Sequence, residues 1–184
     1  EAELLKGVGD VGSEVYKIKE LVGILGNYFD VYKSNINREK YLSNFRIEYF
    51  DISNLGTDYI VGASTCTIGG VLNKNYYRKY RIKNTLGTGL MIYQNDFEAI
   101  SQIVLRRLRN NIKWGSPDLI VIDGGKGQLS SVLKLTSMYN IPTIALAKKN
   151  EEVFLLHERS YKKIVLPKNS HSLAILIRGR NEVH

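Results

Sequence analysis

The sequence predicts an α/β fold in which helices flank a β-sheet, and three observations support this prediction. Residues 119–122 are four consecutive aliphatic residues, which is typical of a short strand buried on both faces. A glycine-rich turn at 124–127 and a helical stretch at 129–139 follow this strand directly. Upstream, residues 45–83 contain runs of alternating apolar and polar side chains, as half-exposed strands do.

Composition and charge favour a soluble protein that binds a polyanion. The 184 residues suffice for one domain with a core, and 26 basic against 18 acidic residues give a net charge of +8. Together with 12 tyrosines, this charge favours nucleic acid first and an acidic membrane second, a merely basic soluble protein being the alternative. The single cysteine, Cys66, is expected to be a buried thiol, and no signal peptide or membrane span is recognised. We therefore expect a cytoplasmic protein.

The first part of the chain differs from the rest. Residues 1–43 are predicted to form a helical extension or inter-domain tether, and residues 44–184 the main domain. Apolar residues recur at helical spacing from Ser13 onward, at Val15, Ile18, Leu21, Val22, Leu25 and Phe29. Residues 32–44 are polar and are predicted to be a connection.

Three strands are predicted next, at 45–53, 59–68 and 75–83, with turns at 54–58 and 69–70. Alternation in the third strand places Tyr76, Arg78 and Tyr80 on one face and Tyr77, Lys79 and Arg81 on the other. Basic and aromatic side chains mixed in this way can hold phosphates and stack on bases. The alternative is a solvated edge strand protected by lysine and arginine.

The second half continues with alternating helices and strands. Residues 85–94 are predicted to be a loop, and a helix with Asp96 in its first turn follows, ending in Arg106, Arg107 and Arg109. After the central strand and its helix, a strand at 141–147 leads into Lys148 and Lys149. A hairpin at 152–156 and 162–166 precedes a final helix, for which Ser170 is a suitable N-cap.

Three polar groups are expected to converge in this fold. Asp51 and Asp123 each end a predicted strand, and groups at the carboxyl ends of strands face the crevice where ligands bind. His184 falls within about 40° of Leu173 and Ile177 on the last helix, so it is expected to point toward the sheet. Two carboxylates and a phosphate suffice to hold Mg²⁺, and a histidine extends tolerance to Mn²⁺ or accepts a proton from water. The alternatives are a capping aspartate in a turn and a histidine that completes a helix dipole.

Several short motifs amount to a family resemblance. They are Phe50-Asp51-Ile52-Ser53, Tyr77-Arg78-Lys79-Tyr80, Asn95-Asp96-Phe97, Asp123-Gly124-Gly125-Lys126-Gly127-Gln128 and Arg180-Asn181-Glu182-Val183-His184. In this order and spacing they resemble the C-terminal endonuclease domain of UvrC, the incision subunit of bacterial nucleotide excision repair. The resemblance covers residues 45–184.

The resemblance implies a ribonuclease-H-like fold with a mixed sheet and a Mg²⁺- or Mn²⁺-dependent cut of the damaged DNA strand 5′ to a lesion. It implies Asp51, Asp123 and His184 as the catalytic and metal-binding triad. Asp96 matches a further acidic position near the site, with helix N-terminal charge as the alternative. The implied partners are double-stranded damaged DNA and, through the parent protein, the UvrB–DNA complex, without a membrane or a small-molecule cofactor.

The sequence also departs from the family pattern. It has Arg-Asn-Glu-Val-His where the family usually has Arg-Asp-Glu-Ala-His, and Gly179 is expected to interrupt the last helix. Family members continue beyond the position of His184, and they carry an N-terminal nuclease domain, a UvrB-binding segment and helix-hairpin-helix motifs. This chain alone is therefore expected to bind DNA weakly and to cut poorly.

Basic residues near the proposed site are the expected DNA contacts: Lys126, Arg78, Arg81, Lys148, Lys149 and Arg180. Lys126 directly follows the central strand and is the first choice for a phosphate contact, with a structural salt bridge as the alternative. A second hypothesis for the whole domain is a catalytically silent nuclease-like module that only binds nucleic acid or a protein partner. Metal binding discriminates between the two.

Overall fold

The computed structural model describes residues 11–55, 58–84, 86–88, 90 and 96–183. Its centre is one mixed β-sheet with the strand order β3-β2-β1-β5-β6-β7-β8, in which β4 also pairs with β2. The strands are β1 (Arg46–Leu55), β2 (Tyr59–Ile68), β3 (Val71–Leu72), β4 (Arg78–Lys83), β5 (Leu119–Asp123), β6 (Thr143–Ala147), β7 (Glu152–His157) and β8 (Ser160–Val165).

The central strands β1, β5 and β6 are parallel to one another, whereas β2 and β4 on one side and β7 and β8 on the other are antiparallel additions. A parallel pair needs a crossover connection, and helices provide it between β1 and β5 and between β5 and β6. As a result, the carboxyl ends of β1, β5 and β6 meet at one edge of the sheet.

Helices cover both faces of the sheet. They are α1 (Val11–Leu25), α2 (Asp30–Asn35), α3 (Glu39–Ser43), α4 (Asp96–Leu108), α5 (Asn111–Trp114), α6 (Lys126–Met138) and α7 (His171–Val183). One apolar core joins α1, α2, α3 and α7 to one face, and a second joins α4 and α6 to the other. Alternating residues of β1 and β5 enter the two cores, with Tyr49 and Val121 in the first and Phe50 and Ile122 in the second.

The segment predicted to be a polar connection is helical, and that prediction was wrong. Residues 32–44 contain most of α2 and all of α3, and Tyr32 and Leu42 are buried in the first core. Helices of five or six residues are too short for their apolar periodicity to stand out in a sequence. Much of the loop predicted at 85–94, and the centre of the turn predicted at 54–58, lie outside the described residues.

A buried ion pair joins β1 to α4. Both guanidinium nitrogens Nε and Nη2 of Arg107 donate to the carboxylate of Glu48 at 2.6 Å, and the two side chains are almost wholly inaccessible to solvent. Arg46 contacts the same carboxylate at 3.1 Å. Arg107 belongs to the basic helix end that the sequence predicts, but its burial and its partner could not be predicted because Glu48 lies far away in sequence.

In the described part of the chain, no helix is both long enough and apolar enough to cross a membrane.

Candidate active site

Asp51 and Asp123 lie side by side just beyond the last parallel pair of β1 and β5. Asp123 ends β5, but β1 continues past Asp51 to Leu55 along β2, so the prediction that Asp51 ends its strand was wrong. The last parallel pair in the register is Phe50 of β1 with Ile122 of β5, and Asp51 and Asp123 are the residues that directly follow this pair. Adjacent strands are about 4.8 Å apart, which brings the two backbones close enough for their side chains to share one ligand.

Both carboxylates are on the face of the sheet that packs against α7. The residues before them, Phe50 and Ile122, enter the opposite core, and side chains alternate along a strand. Asp51 and Asp123 also line one pocket of about 250 Å³, together with Gly124, Gly125, Ala147 and Lys148. The side chain of Asp123 is 6% exposed, and Nζ of Lys148 lies 3.7 Å from its Oδ2.

The turn after β5 depends on Gly124 and on Gln128. Gly124 adopts φ +153°, and a Cβ there would lie 2.7 Å from Cγ of Gln128. The side-chain oxygen of Gln128 accepts a hydrogen bond of 3.0 Å from the backbone of Gly125, which closes the first turn of α6. Helix α6 begins at Lys126, earlier than predicted, so Lys126 lies on the first turn of this helix and is exposed.

The last turns of α7 are fixed to the sheet beside Asp51. A Cβ at Gly179 would lie 2.1 Å from Cζ of Tyr49, so only glycine permits this close approach. The hydroxyl of Thr65 donates to the carbonyl of Gly179 at 3.0 Å, and the hydroxyl of Tyr49 donates to the carbonyl of Ile175 at 3.2 Å. The helix continues to Val183, so the expected interruption at Gly179 does not occur.

Arg180 attaches the same helix end to the turn that carries Lys148. Its guanidinium forms an ion pair with Glu151 through two hydrogen bonds, one of them 3.0 Å long, and the residue is 6% exposed. Glu151 and Asn150 both have positive φ, which constrains this turn. This placement argues against the predicted contact between Arg180 and DNA, because its charge is buried and already paired.

His184 lies outside the described residues, so its side chain has no described position. The residue before it, Val183, lines a second pocket that also contains Asp51. Among the residues that the structure describes, no group of three His, Cys, Asp or Glu side chains is arranged to hold a metal ion. The pair Asp51 and Asp123 supplies the oxygen ligands that suit Mg²⁺ or Mn²⁺.

Other predicted residues are distributed around this edge. Asp96 is exposed in the first turn of α4 and is absent from the lining of both pockets next to Asp51. Nζ of Lys126 lies 4.8 Å from the centre of the Tyr161 ring, and Lys149 is exposed in the β6–β7 turn. On β4, the guanidinium of Arg81 lies over Tyr59 at 4.1 Å and that of Arg78 over Trp114 at 4.7 Å.

The buried thiol is unsuited to nucleophilic chemistry. Cys66 is inaccessible to solvent, and burial raises its pKa to about 12. The reactive thiolate is therefore negligible at neutral pH.

Comparisons with known proteins show the family to which this chain belongs. The family model described as the UvrC RNAse H endonuclease domain matches residues 39–184. UvrABC system protein C of Treponema denticola is 38% identical over 143 residues, covering 76% of this chain and 21% of that protein. The same protein of Chlorobium luteolum is 40% identical over 147 residues, covering 76% of this chain and 22% of that protein.

The chain spans only 21% to 26% of the length of these and other curated relatives. A crystal structure of human ENDOV is similar with a TM-score of 0.46 and 12% identity, covering 76% of this chain and 84% of that chain.

Proposed function

Because the chain belongs to the family of UvrC RNAse H endonuclease domains, we propose that it hydrolyses a phosphodiester bond of a damaged DNA strand, on the 5′ side of the lesion, in nucleotide excision repair. The observation that carries this proposal is the shared pocket of Asp51 and Asp123, directly beyond the last paired residues of two parallel strands. The alternative of a lone capping aspartate does not account for two carboxylates in one pocket.

Asp51, Asp123 and His184 are the residues that we propose to hold a divalent metal ion, Mg²⁺ or Mn²⁺. Two carboxylates on rigid neighbouring strands fit the preference of these ions for oxygen ligands. When bound, the ion would acidify the attacking water and neutralise charge on the phosphoryl oxygens. The protein's own contribution is to orient the two carboxylates, and His184 would either complete the ligands of the ion or accept a proton from the water.

Basic side chains around the pocket are proposed to hold the DNA backbone. Lys148 lines the pocket and its side chain is 64% exposed, so its ammonium can turn toward a phosphate. We retain Lys126, Lys149, Arg78 and Arg81 as further contacts because they are exposed or half-exposed. The net charge of +8 supports a polyanionic partner. Asp96 stays a candidate auxiliary acid.

The wider setting follows from the relatives. We propose double-stranded damaged DNA as the substrate, the UvrB–DNA complex as the partner of the parent protein, and the cytoplasm as the location. We also propose a division into an extension at 1–43 and an endonuclease domain at 44–184, which the family match to residues 39–184 supports.

Asp51→Asn and Asp123→Asn test the proposal. Each variant should lose Mn²⁺ affinity in a calorimetric titration and lose cleavage of a duplex carrying one bulky adduct, because an amide replaces a charged ligand. Asp30→Asn is the matched control, since Asp30 is exposed on α2, a helix whose Tyr32 contacts Asp118 before the start of β5, at the end of the strand opposite Asp123. Cleavage should be measured in the full-length protein, because this chain alone is expected to cut poorly.

Two results would contradict the proposal. If Asp51→Asn leaves Mn²⁺ affinity and cleavage at the wild-type level, this pair of aspartates does not hold the metal. If the wild-type protein binds DNA but neither Mn²⁺ nor Mg²⁺, the chain is a nuclease-like module that only binds.

A further inference from the structure

Four side chains form a row across four strands of the sheet, and two of them, Ala63 and Lys79, have no role in the site described so far. The register pairs Asp51 of β1 with Ala63 of β2, and Ala63 with Lys79 of β4. Asp123 of β5 continues the row on the other side of Asp51. Directly paired residues point to the same face of a sheet, so Lys79 shares the face of both aspartates.

The row borders a trough between β4 and the end of α7. A pocket of about 400 Å³ is lined by Asp51, Ser53, Val61, Ala63, Lys79 and Val183, together with Ile52 and Gly62. This volume lies within the range of about 300–1,000 Å³ that is typical of small-ligand sites. The small side chain of Ala63 keeps the middle of the row open, and Lys79 lies two strand spacings, about 10 Å, from Asp51.

The chemistry of the trough suits one nucleotide of a DNA strand. Its middle is apolar, with Val61, Ala63 and Val183, and can pack against a sugar. One end is the proposed metal-binding carboxylate, and the other is the exposed ammonium of Lys79. A strand that presents one phosphate to the aspartates therefore has the ammonium of Lys79, on its flexible four-carbon stem, within reach of a neighbouring phosphate.

We propose that the trough lined by Asp51, Ala63 and Lys79 is a nucleotide subsite, in which Lys79 binds the phosphate next to the one that is cleaved. The proposal rests on the proposed function for the identity of its ligand, DNA. Edge protection is the competing role of a lysine on β4, but Arg81 and Lys83 are exposed on the same face and serve it equally. Only Lys79 of these three lines the trough.

Lys79→Met tests the phosphate contact through DNA affinity. We expect weaker binding to a duplex with one bulky adduct, uniformly across sequences. The slope of log affinity against log salt concentration should fall by about 1, because one phosphate contact is lost. Lys83→Met is the matched control: it removes the same charge from the same strand, four residues away and outside the trough. Lys79→Arg should retain the wild-type slope.

The apolar part of the trough is tested without a change of charge. Ala63→Leu should fill the trough and weaken DNA binding while the salt slope stays at the wild-type value. Its melting temperature must remain near that of the wild type, which checks that the fold is kept. Unchanged affinity in this folded variant would overturn the subsite.

A cross-linking experiment locates the phosphate directly. Lys79→Cys should form a disulfide, by thiol–disulfide exchange, with a duplex whose phosphate next to the scissile one carries a tether activated as a mixed disulfide, and Lys83→Cys should not. The only native cysteine, Cys66, is buried and will not compete. Equal yields at both positions, or equal salt slopes for Lys79→Met and Lys83→Met, would show a general charge effect and overturn the proposal.

DNA binding and cross-linking are both measured without cleavage. The proposed subsite and the proposed nuclease function can therefore fail separately. If the wild-type protein cleaves DNA and Lys79→Met leaves the salt dependence of DNA affinity unchanged, the subsite alone is refuted. If the wild-type protein does not cleave DNA but Lys79→Met still lowers the salt dependence of DNA affinity, the nuclease function alone is refuted.

Discussion

At the scale of single residues, Gly179 decides how closely α7 can approach the sheet. Tyr49 is 1% exposed, so its ring cannot move aside to make room for a methyl group at 179. Gly179→Ala should therefore lower the free energy of unfolding by about 1–3 kcal/mol, the usual cost of overpacking a core. It should also reduce cleavage, because the end of α7 that precedes His184 is displaced. Denaturant unfolding measures the first effect.

Gly127→Ala is the matched control for this prediction. Gly127 also lies in a helix, and a Cβ there would lie 2.8 Å from Phe97, but that ring is 41% exposed and can rotate away. The gain in helix propensity, up to about 1 kcal/mol, should offset the adjustment. If Gly179→Ala is as stable as Gly127→Ala, Gly179 is not required for the close contact.

The two aspartates could be located from the sequence, whereas their surroundings could not. A carboxylate directly after an apolar run is a local signal, and Asp51 and Asp123 both show it, although β1 continues beyond Asp51. Arg180 and Arg107 look like exposed helix charges in the sequence, because Glu151 and Glu48, which pair with them, are brought close only by the folded chain. The side-chain position of His184 stays a prediction.

At the scale of elements, α1 supplies a cap for α7. The carboxylate of Glu20 accepts hydrogen bonds from the hydroxyl of Ser172 at 2.7 Å and from its backbone nitrogen at 3.1 Å. Ser170, the predicted N-cap, accepts a further bond of 3.2 Å from the backbone of Leu173. The hydrogen bond from Ser172 lowers the pKa of Glu20.

This cap predicts a dependence of stability on pH. A carboxylate whose pKa is lowered by folding stabilises the protein above its ordinary pKa of about 4.3, and this contribution is lost as the pH falls below that value. Glu20→Gln should therefore melt at a lower temperature than the wild type at pH 7, and the difference should shrink toward zero on acidification. A constant difference between pH 7 and pH 3, measured by thermal unfolding, would contradict the prediction.

The elements themselves were largely predictable. The ribonuclease-H-like α/β fold is confirmed, and β2 matches its predicted bounds because turn residues border it on both sides. Elements were missed where they are too short for a periodic pattern of apolar residues to stand out, as in α2, α3 and the two-residue β3. The third predicted strand was too long at its start, because residues 74–76 form a helical turn before Arg78.

At the scale of the whole molecule, the buried pair Glu48–Arg107 connects the sheet to the helical layer opposite α7. Arg107 also donates to the carbonyl of Gly115 at 2.7 Å and to the side chain of Asn111 at 3.0 Å, so it orders the chain before β5. Arg107→Met should lower the free energy of unfolding by about 3–5 kcal/mol, because it leaves the charge of Glu48 buried without this partner. Chemical denaturation provides the measurement.

The double variant Glu48→Leu/Arg107→Met separates the charge from the packing. Replacing a whole buried ion pair by apolar residues is often neutral, so this variant should recover most of the lost stability. A double variant as unstable as Arg107→Met would mean that the hydrogen bonds to Gly115 and Asn111, and not the buried charge, dominate.

The only tryptophan of the sequence, Trp114, lies between two guanidinium groups. That of Arg107 is buried in the fold, and that of Arg78 is one that we expect to bind DNA. The ring is 5.7 Å from the guanidinium carbon of Arg107 and 4.7 Å from that of Arg78. Its fluorescence is therefore an intrinsic optical probe with a single source. The emission reports on the ion-pair cluster when the protein unfolds, and on Arg78 when a polyanion draws that side chain away from the indole.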